Sequence, residues 1–73
     1  MSLKETIMTW AEDKEIDIKD WQKTNFGRIE REYTNSNGEV GEDDVIEKFS
    51  DELKKTGKYL SDSEKRDLKS KLF

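Results

Sequence analysis

The sequence predicts an all-α fold, a small compact bundle of about four short helices in a single helical domain over residues 1–73. Three observations predict it. Apolar residues recur at helical spacing, two stretches carry a Ser-x-x-Glu capping box, and the chain contains no proline. The clearest stretch is Gly41 to Leu72, where a periodic segment, a glycine, a cap and a second periodic segment follow one another.

The first helix is predicted over about residues 3–13. Ser2 and Glu5 form the capping box, in which the serine accepts a backbone N–H and the glutamate reciprocates. The apolar residues that follow share one face: Leu3, Ile7, Trp10 and Ala11. Met8 lies off that face.

The second helix is predicted over about residues 17–33, with Asp17 as its N-cap. Its apolar residues occupy an arc of roughly 140°, the usual width of a core-facing stripe: Ile18, Trp21, Phe26, Ile29 and Tyr33. Because this phase continues across Gly27, we prefer one continuous helix. The alternative is a break at residues 25–27, since an interior glycine costs up to ~1 kcal/mol relative to alanine.

Helices 3 and 4 are predicted over about residues 42–56 and 62–72, after a polar loop at residues 34–41. Gly57 ends the third helix, and Ser61 with Glu64 forms a second capping box. The apolar residues of these helices are Val45, Ile46, Phe49, Leu53, Leu68 and Leu72. The predicted core of the whole chain is Ile7, Trp10, Ile18, Trp21, Phe26, Ile29, Val45, Phe49, Leu53 and Leu68.

The composition limits how such a core is stabilised. Hydrophobic residues make up 30% of the chain and charged residues 44%, so one small core supplies only ~3–5 kcal/mol. The absence of cysteine and histidine excludes disulfides and the usual zinc sites. We therefore expect stabilisation by self-association or by a partner.

Several function classes are disfavoured. Without histidine or cysteine, and without a distinctive carboxylate pair, the sequence predicts no enzyme and no catalytic residue. A chain this short also encloses small-molecule sites poorly, so we expect no small-molecule substrate and no cofactor. The longest apolar runs are pairs of residues and no apolar segment follows the first residues, so we expect no membrane span, no secretory signal and a cytoplasmic protein.

Charge is distributed unevenly along the chain. Residues 1–52 carry 7 basic and 15 acidic side chains, whereas residues 53–73 carry 7 basic and 3 acidic ones. The basic set predicts, as an alternative function, nucleic-acid association through residues 54–71: Lys54, Lys55, Lys58, Lys65, Arg66, Lys69 and Lys71. Two features argue against a DNA-binding helix-turn-helix. The bulky Leu53 precedes the turn, and the acidic residues Asp62 and Glu64 stand at the start of the second helix.

Ordinary ion pairs within helices explain the same charges. Four acid-to-base pairs stand at the favourable i,i+4 spacing of a solvated helix face: Asp44–Lys48, Asp51–Lys55, Asp62–Arg66 and Asp67–Lys71.

The polar loop resembles a calcium-binding EF-hand, which is a minor alternative. With Gly38 at the glycine position, the ligand positions 3, 5 and 7 fall on Asn35, Asn37 and Glu39. The similarity fails at position 1, which is Tyr33, and at position 12, where Asp44 is shorter than the usual glutamate. We therefore predict no tight calcium site and no metal ligand in the chain.

The function that the sequence favours is a non-catalytic, small acidic regulatory or inhibitory protein that binds a partner macromolecule, above all a protein. Three apolar residues have no place on a predicted core face and are the predicted partner-binding residues: Met8, Tyr59 and Phe73. The partner is another protein or a second copy of the chain. The competing interpretation is that Tyr59 and Phe73 close the ends of the bundle.

Overall fold

The computed structural model describes residues 2–73, and helices cover about 71% of it. Four helices follow one another: α1 (Leu3–Asp13), α2 (Asp20–Asn35), α3 (Glu42–Lys54) and α4 (Asp62–Leu72). No strand occurs within residues 2–73. The predicted all-α bundle of four short helices is confirmed.

The helices form a ring in which α1 and α3 each pack against both α2 and α4. Lys4, near the start of α1, donates its backbone N–H to Glu30, near the end of α2, at 3.1 Å. Lys69, late in α4, pairs with Asp43 in the first turn of α3 at 2.9 Å. The start of α1 thus lies beside the second half of α2, and the end of α4 lies beside the start of α3. This is the antiparallel arrangement that short connections produce in helix bundles.

Both predicted N-cap serines begin a helix, but within residues 2–73 only the box at Ser61 and Glu64 has both of its bonds. Ser2 Oγ accepts the N–H of Glu5 at 3.1 Å, and Ser61 Oγ accepts the N–H of Glu64 at the same distance. In the second box the Glu64 carboxylate also accepts the N–H of Ser61 at 3.0 Å, which completes the reciprocal pair. Both helices therefore have the predicted bounds.

Gly57 ends α3 as predicted. Its φ of +87° lies in the left-handed region, its N–H donates to the Lys54 carbonyl at 2.9 Å, and the Lys58 N–H donates to the Leu53 carbonyl at 3.0 Å. These two bonds form a Schellman motif, which satisfies carbonyls that a helix end otherwise leaves free. The last turn is tightened, so α3 ends at Lys54 and not at the predicted residue 56.

The same motif ends α1 with a glutamate in place of the glycine. Glu15 has a φ of +60° and donates its N–H to the Glu12 carbonyl at 3.0 Å, while the Ile16 N–H donates to the Ala11 carbonyl at 2.8 Å. A glutamate rarely adopts this conformation, so the sequence carries no stop signal here.

The predicted start of α2 is wrong as a consequence. The chain leaves α1 in an irregular connection over residues 14–19, and α2 begins at Asp20. The predicted N-cap, Asp17, lies within this connection, and its carboxylate accepts a bond from Lys19 Nζ at 2.9 Å. The preference for one continuous helix across Gly27 is confirmed.

Most of the predicted core is buried. Within residues 2–73, eight of the ten predicted residues are buried: Ile7, Trp10, Phe26, Ile29, Val45, Phe49, Leu53 and Leu68. Ala11, Ile46 and Leu60 are buried as well. Phe26 and Phe49 join α2 to α3 at the centre, edge to face with ring centroids 5.3 Å apart, a favourable aromatic geometry.

Two predicted core residues are not buried. Trp21 is 48% exposed, and Ile18 is half-buried in the connection before α2. The buried face of α2 runs through Gln22, Phe26 and Ile29, at i, i+4 and i+7. Trp21 is one residue out of phase with that face, about 100° around the helix, so it faces away from the core.

Gln22 is fully buried and bonded by both ends of its amide. Its oxygen accepts the Lys19 N–H at 2.9 Å, and its nitrogen donates to the Glu52 carbonyl at 2.9 Å and to Thr56 Oγ1 at 3.1 Å. A buried amide without partners costs ~1–3 kcal/mol, whereas a satisfied one specifies a unique arrangement. Gln22 thus fixes the start of α2 against the end of α3.

Trp10 ties α1 to α4. Its indole Nε1–H donates to Asp67 Oδ2 at 2.8 Å, and Lys14 Nζ lies 3.7 Å from the same oxygen. The bond from Trp10, followed by the charges of Lys14 and Lys71, holds the pKa of the Asp67 carboxyl below its usual range.

We predict opposite effects for alanine at two glycines. At Gly27 an added Cβ would meet Lys4 and Arg31 side-chain atoms at 3.7 Å, an ordinary contact, so Gly27→Ala should stabilise the protein by up to ~1 kcal/mol, roughly 4–8 °C in Tm. Gly57→Ala should destabilise it by ~1–2 kcal/mol because of the positive φ. Thermal unfolding followed by circular dichroism measures both changes in Tm. Changes of the same sign in the two variants would contradict the prediction.

We predict that Asp67→Asn lowers Tm at pH 7 and that the difference from wild type shrinks as the pH falls below about 4. The reason is the sign of the shift: a carboxyl whose folded-state pKa is depressed stabilises the fold above its unfolded pKa and loses that effect as the pH falls through the folded value. Asp51→Asn, which removes an exposed charge paired with Lys54, is the matched control. A difference in Tm between Asp67→Asn and wild type that widens in acid would refute the stabilising role of the Asp67 carboxylate.

Candidate partner-binding groove

An open groove of about 520 Å³ lies between α1, the connection over residues 14–19 and the start of α2. From α1 it is lined by Glu5, Met8, Thr9 and Glu12. These residues stand at i, i+3, i+4 and i+7, so they form one continuous face of the helix, distinct from the buried face of Ile7, Trp10 and Ala11.

The floor of the groove is apolar. Met8 is half-buried and packs against the edge of the core, as do Ile16 and Ile18 of the connection. The two isoleucines lie here because Glu15 turns the chain out of α1 and back across it. Together the three side chains give the groove a surface that a partner's apolar side chains can cover.

Two of the charged residues in the groove are already paired with neighbours. Asp17 accepts a bond from Lys19 Nζ at 2.9 Å, which holds the pKa of the Asp17 carboxyl below its usual range. Lys23 Nζ lies 3.6 Å from a carboxylate oxygen of Asp20.

The structure separates the three predicted partner-binding residues. Met8 lines the groove, whereas Tyr59, 68% exposed, precedes α4, and Phe73 follows it. At 1.5 Å per residue the 11 residues of α4 span about 16 Å, so Tyr59 and Phe73 lie at opposite ends of that helix. Phe73 contacts Tyr33 of α2, with ring centroids 5.4 Å apart.

The predicted nucleic-acid residues lie close to carboxylates. Within residues 2–73, five of the seven form ion pairs: Lys54–Asp51, Lys55–Glu52, Lys58–Glu64, Lys65–Glu47 and Lys69–Asp43, at 2.8–3.7 Å. Arg66 and Lys71 form no pair within 4.0 Å in that part of the chain. The bond to Asp43 raises the pKa of Lys69. The basic third of the sequence is therefore interleaved with acids in space.

The four expected i,i+4 pairs do not form. Across residues 2–73 no salt bridge joins Asp44 to Lys48, Asp51 to Lys55, Asp62 to Arg66 or Asp67 to Lys71. Lys48 pairs with Glu32 of α2 at 3.0 Å, and Asp67 with Lys14 at 3.7 Å. Packing brings a carboxylate of the adjacent helix to Lys48, whereas Lys55 pairs with Glu52 three residues before it at 2.8 Å. Long exposed side chains exchange such partners at little cost.

The EF-hand-like loop is organised by its own backbone. Tyr33 and Asn35 belong to the last turns of α2, and the Glu39 N–H closes a turn on the Ser36 carbonyl at 3.1 Å. Asp44, at the position of the last ligand, accepts the N–H of Gly41 at 3.0 Å and so caps α3. In the chain from residue 2 onward, no three acidic side chains are grouped as a metal site would require.

Residues 2–73 contain no helix with the length and apolar character of a membrane span. Comparison of the chain with family models, with curated proteins and with solved structures found no match. The groove therefore has to be interpreted from its own residues.

Sequence reasoning found Met8 and missed the rest of the groove. The sequence predicts Ile18 in the core and indicates no role for Ile16, because the left-handed turn at Glu15 has no signal in the sequence. Glu5, Met8 and Glu12 stand at i, i+3 and i+7 and therefore lie on one face of α1. This spacing is the one signal in the sequence that indicates the groove.

We predict different stability effects for the two exposed aromatic residues next to α4. Tyr59→Ser should leave Tm nearly unchanged, because this side chain is 68% exposed. Phe73→Ser should lower the free energy of unfolding by ~0.5–1.5 kcal/mol, since it removes the contact with Tyr33. Chemical denaturation of both variants tests this; a larger loss for Tyr59→Ser would mean that Tyr59 stabilises the bundle end.

Proposed function

We propose that this protein is a non-catalytic regulatory or inhibitory protein of the cytoplasm that acts by binding another protein. The observation that carries the proposal is the open groove on α1, whose apolar floor includes Met8, Ile16 and Ile18. Apolar surface that stays accessible in a chain with so few apolar residues is typical of a contact site. The predicted contacts at Tyr59 and Phe73 belong to the same proposal.

Nucleic-acid association is the weaker alternative. Phosphate binding requires cations whose charge is available to the backbone of the nucleic acid. Five of the seven predicted cations are paired with carboxylates, and the net charge of the chain is −4. These pairs lower the local positive potential, which favours a protein partner over a nucleic acid.

The proposal is tested by affinity capture from native lysate with the tagged chain, with and without nuclease, followed by mass spectrometry. We expect a protein partner whose recovery survives nuclease treatment. Met8→Ser, Tyr59→Ser and Phe73→Ser should be compared singly, because Met8 lines the groove whereas Tyr59 and Phe73 lie at opposite ends of α4. Loss of the partner with one variant that is still folded at the temperature of the assay locates the contact. Light scattering of the purified chain shows whether a second copy is the partner.

Recovery that disappears on nuclease treatment, together with salt-sensitive retention on DNA, would replace the proposal with the nucleic-acid alternative. A monomeric chain that captures no protein would contradict it outright.

A further inference from the structure

Two carboxylates at the groove have no cationic partner among residues 2–73. Within residues 2–73, neither Glu5 nor Glu12 forms a salt bridge, whereas the other two charged residues of the groove, Asp17 and Lys23, are paired with Lys19 and Asp20. Both glutamates are exposed. The unbalanced charge of the groove is therefore negative and lies along α1.

The spacing of the two glutamates is that of two helical turns. Glu5 and Glu12 are seven residues apart on α1, about 10.5 Å along the helix axis, and Met8 lies between them on the same face. The apolar floor of Met8, Ile16 and Ile18 thus has a negative charge towards each end of its α1 side. A partner helix with cations at i and i+7 has the same axial spacing, and its residues i+3 and i+4 lie between those cations.

We propose that this groove binds a basic amphipathic helix of a partner protein. Lysine or arginine residues two turns apart pair with Glu5 and Glu12, and the apolar residues between them pack on Met8, Ile16 and Ile18. This is the helix-in-groove mode of recognition, with charge complementarity setting register and apolar contact supplying affinity. The inference rests on the proposed function and specifies both its site and the chemistry of its partner.

A second copy of the chain fits the groove poorly. The helix with the most basic residues is α4, but its Leu68 is fully buried in its own core and is not available to a neighbour. An anionic lipid surface or a nucleic acid would meet the unpaired carboxylates as like charges, which disfavours both. A separate protein that presents a basic and apolar face is the occupant that matches the groove.

The test uses three fluorescein-labelled peptides of about 15 residues, long enough to cover the two turns between the glutamates. The first contains leucine and lysine in an amphipathic helical pattern, the second has the same composition scrambled so that no apolar face forms, and the third carries glutamate in place of lysine. Fluorescence anisotropy with the full chain measures affinity. We expect the amphipathic basic peptide to bind at least about fivefold more tightly than the other two, and salt to weaken it.

Variants of the chain locate the binding. Glu5→Gln with Glu12→Gln should weaken the basic peptide about fivefold, and Met8→Gln should weaken it without a change in net charge. Glu39→Gln with Asp62→Asn is the matched control, because it removes the same charge from exposed positions outside the groove and should change affinity less than about twofold. Unchanged melting curves establish that the variants are folded.

Equal weakening by the groove pair and the control pair would overturn the inference, since attraction would then follow net charge alone. Equal binding of the scrambled peptide would overturn it too. If affinity capture recovers a protein partner equally well with Glu5→Gln/Glu12→Gln, the groove proposal fails while the protein-binding function stands. A dimer that this double variant dissociates would replace the partner helix with a second copy.

Discussion

The arrangement of the bundle depends on one buried side-chain amide. Gln22 is fully buried, and its three hydrogen bonds join the backbone before α2 to the last turn of α3. Because an unsatisfied amide in this position would cost more than a typical surface contact supplies, α2 can rotate or slide against α3 only by breaking the bonds from Gln22 to Glu52 and Thr56. The rotation that buries Gln22 also directs Phe26 onto Phe49 and leaves Trp21 exposed.

Electrostatics at the surface follow from how the helices pack. Lysines of the basic C-terminal third lie beside acids of α3, as in Lys65–Glu47 and Lys69–Asp43, so the contrast between the two parts of the sequence largely disappears in space. Exposed pairs of this kind contribute little stability each, but they decide where charge remains unbalanced. On the groove face of α1, unbalanced negative charge remains at Glu5 and Glu12, beside apolar residues.

The groove shows why a site can escape sequence reasoning. Met8 was recognisable because it lies off the periodic face of α1, but its companions Ile16 and Ile18 reach it through a left-handed turn at Glu15. Turn prediction relies on glycine and asparagine, the residues that adopt this conformation at low cost, and glutamate gives no such signal. Strain of this kind persists only where the surrounding fold holds it, here through the bonds to Ala11 and Glu12.

The sequence by itself determined the number and class of the elements, the bounds of α1 and α4, the stop at Gly57 and most of the core. These features depend on local chemistry: capping boxes, glycine at positive φ and apolar spacing act within a few residues of one another. Only the tertiary structure decided that Gln22 and not Trp21 faces inward, that α2 begins at Asp20, and which charges pair. Those outcomes depend on groups from other helices, since a buried amide requires partners about 30 residues away and an ion pair forms with whichever charge packing brings within reach.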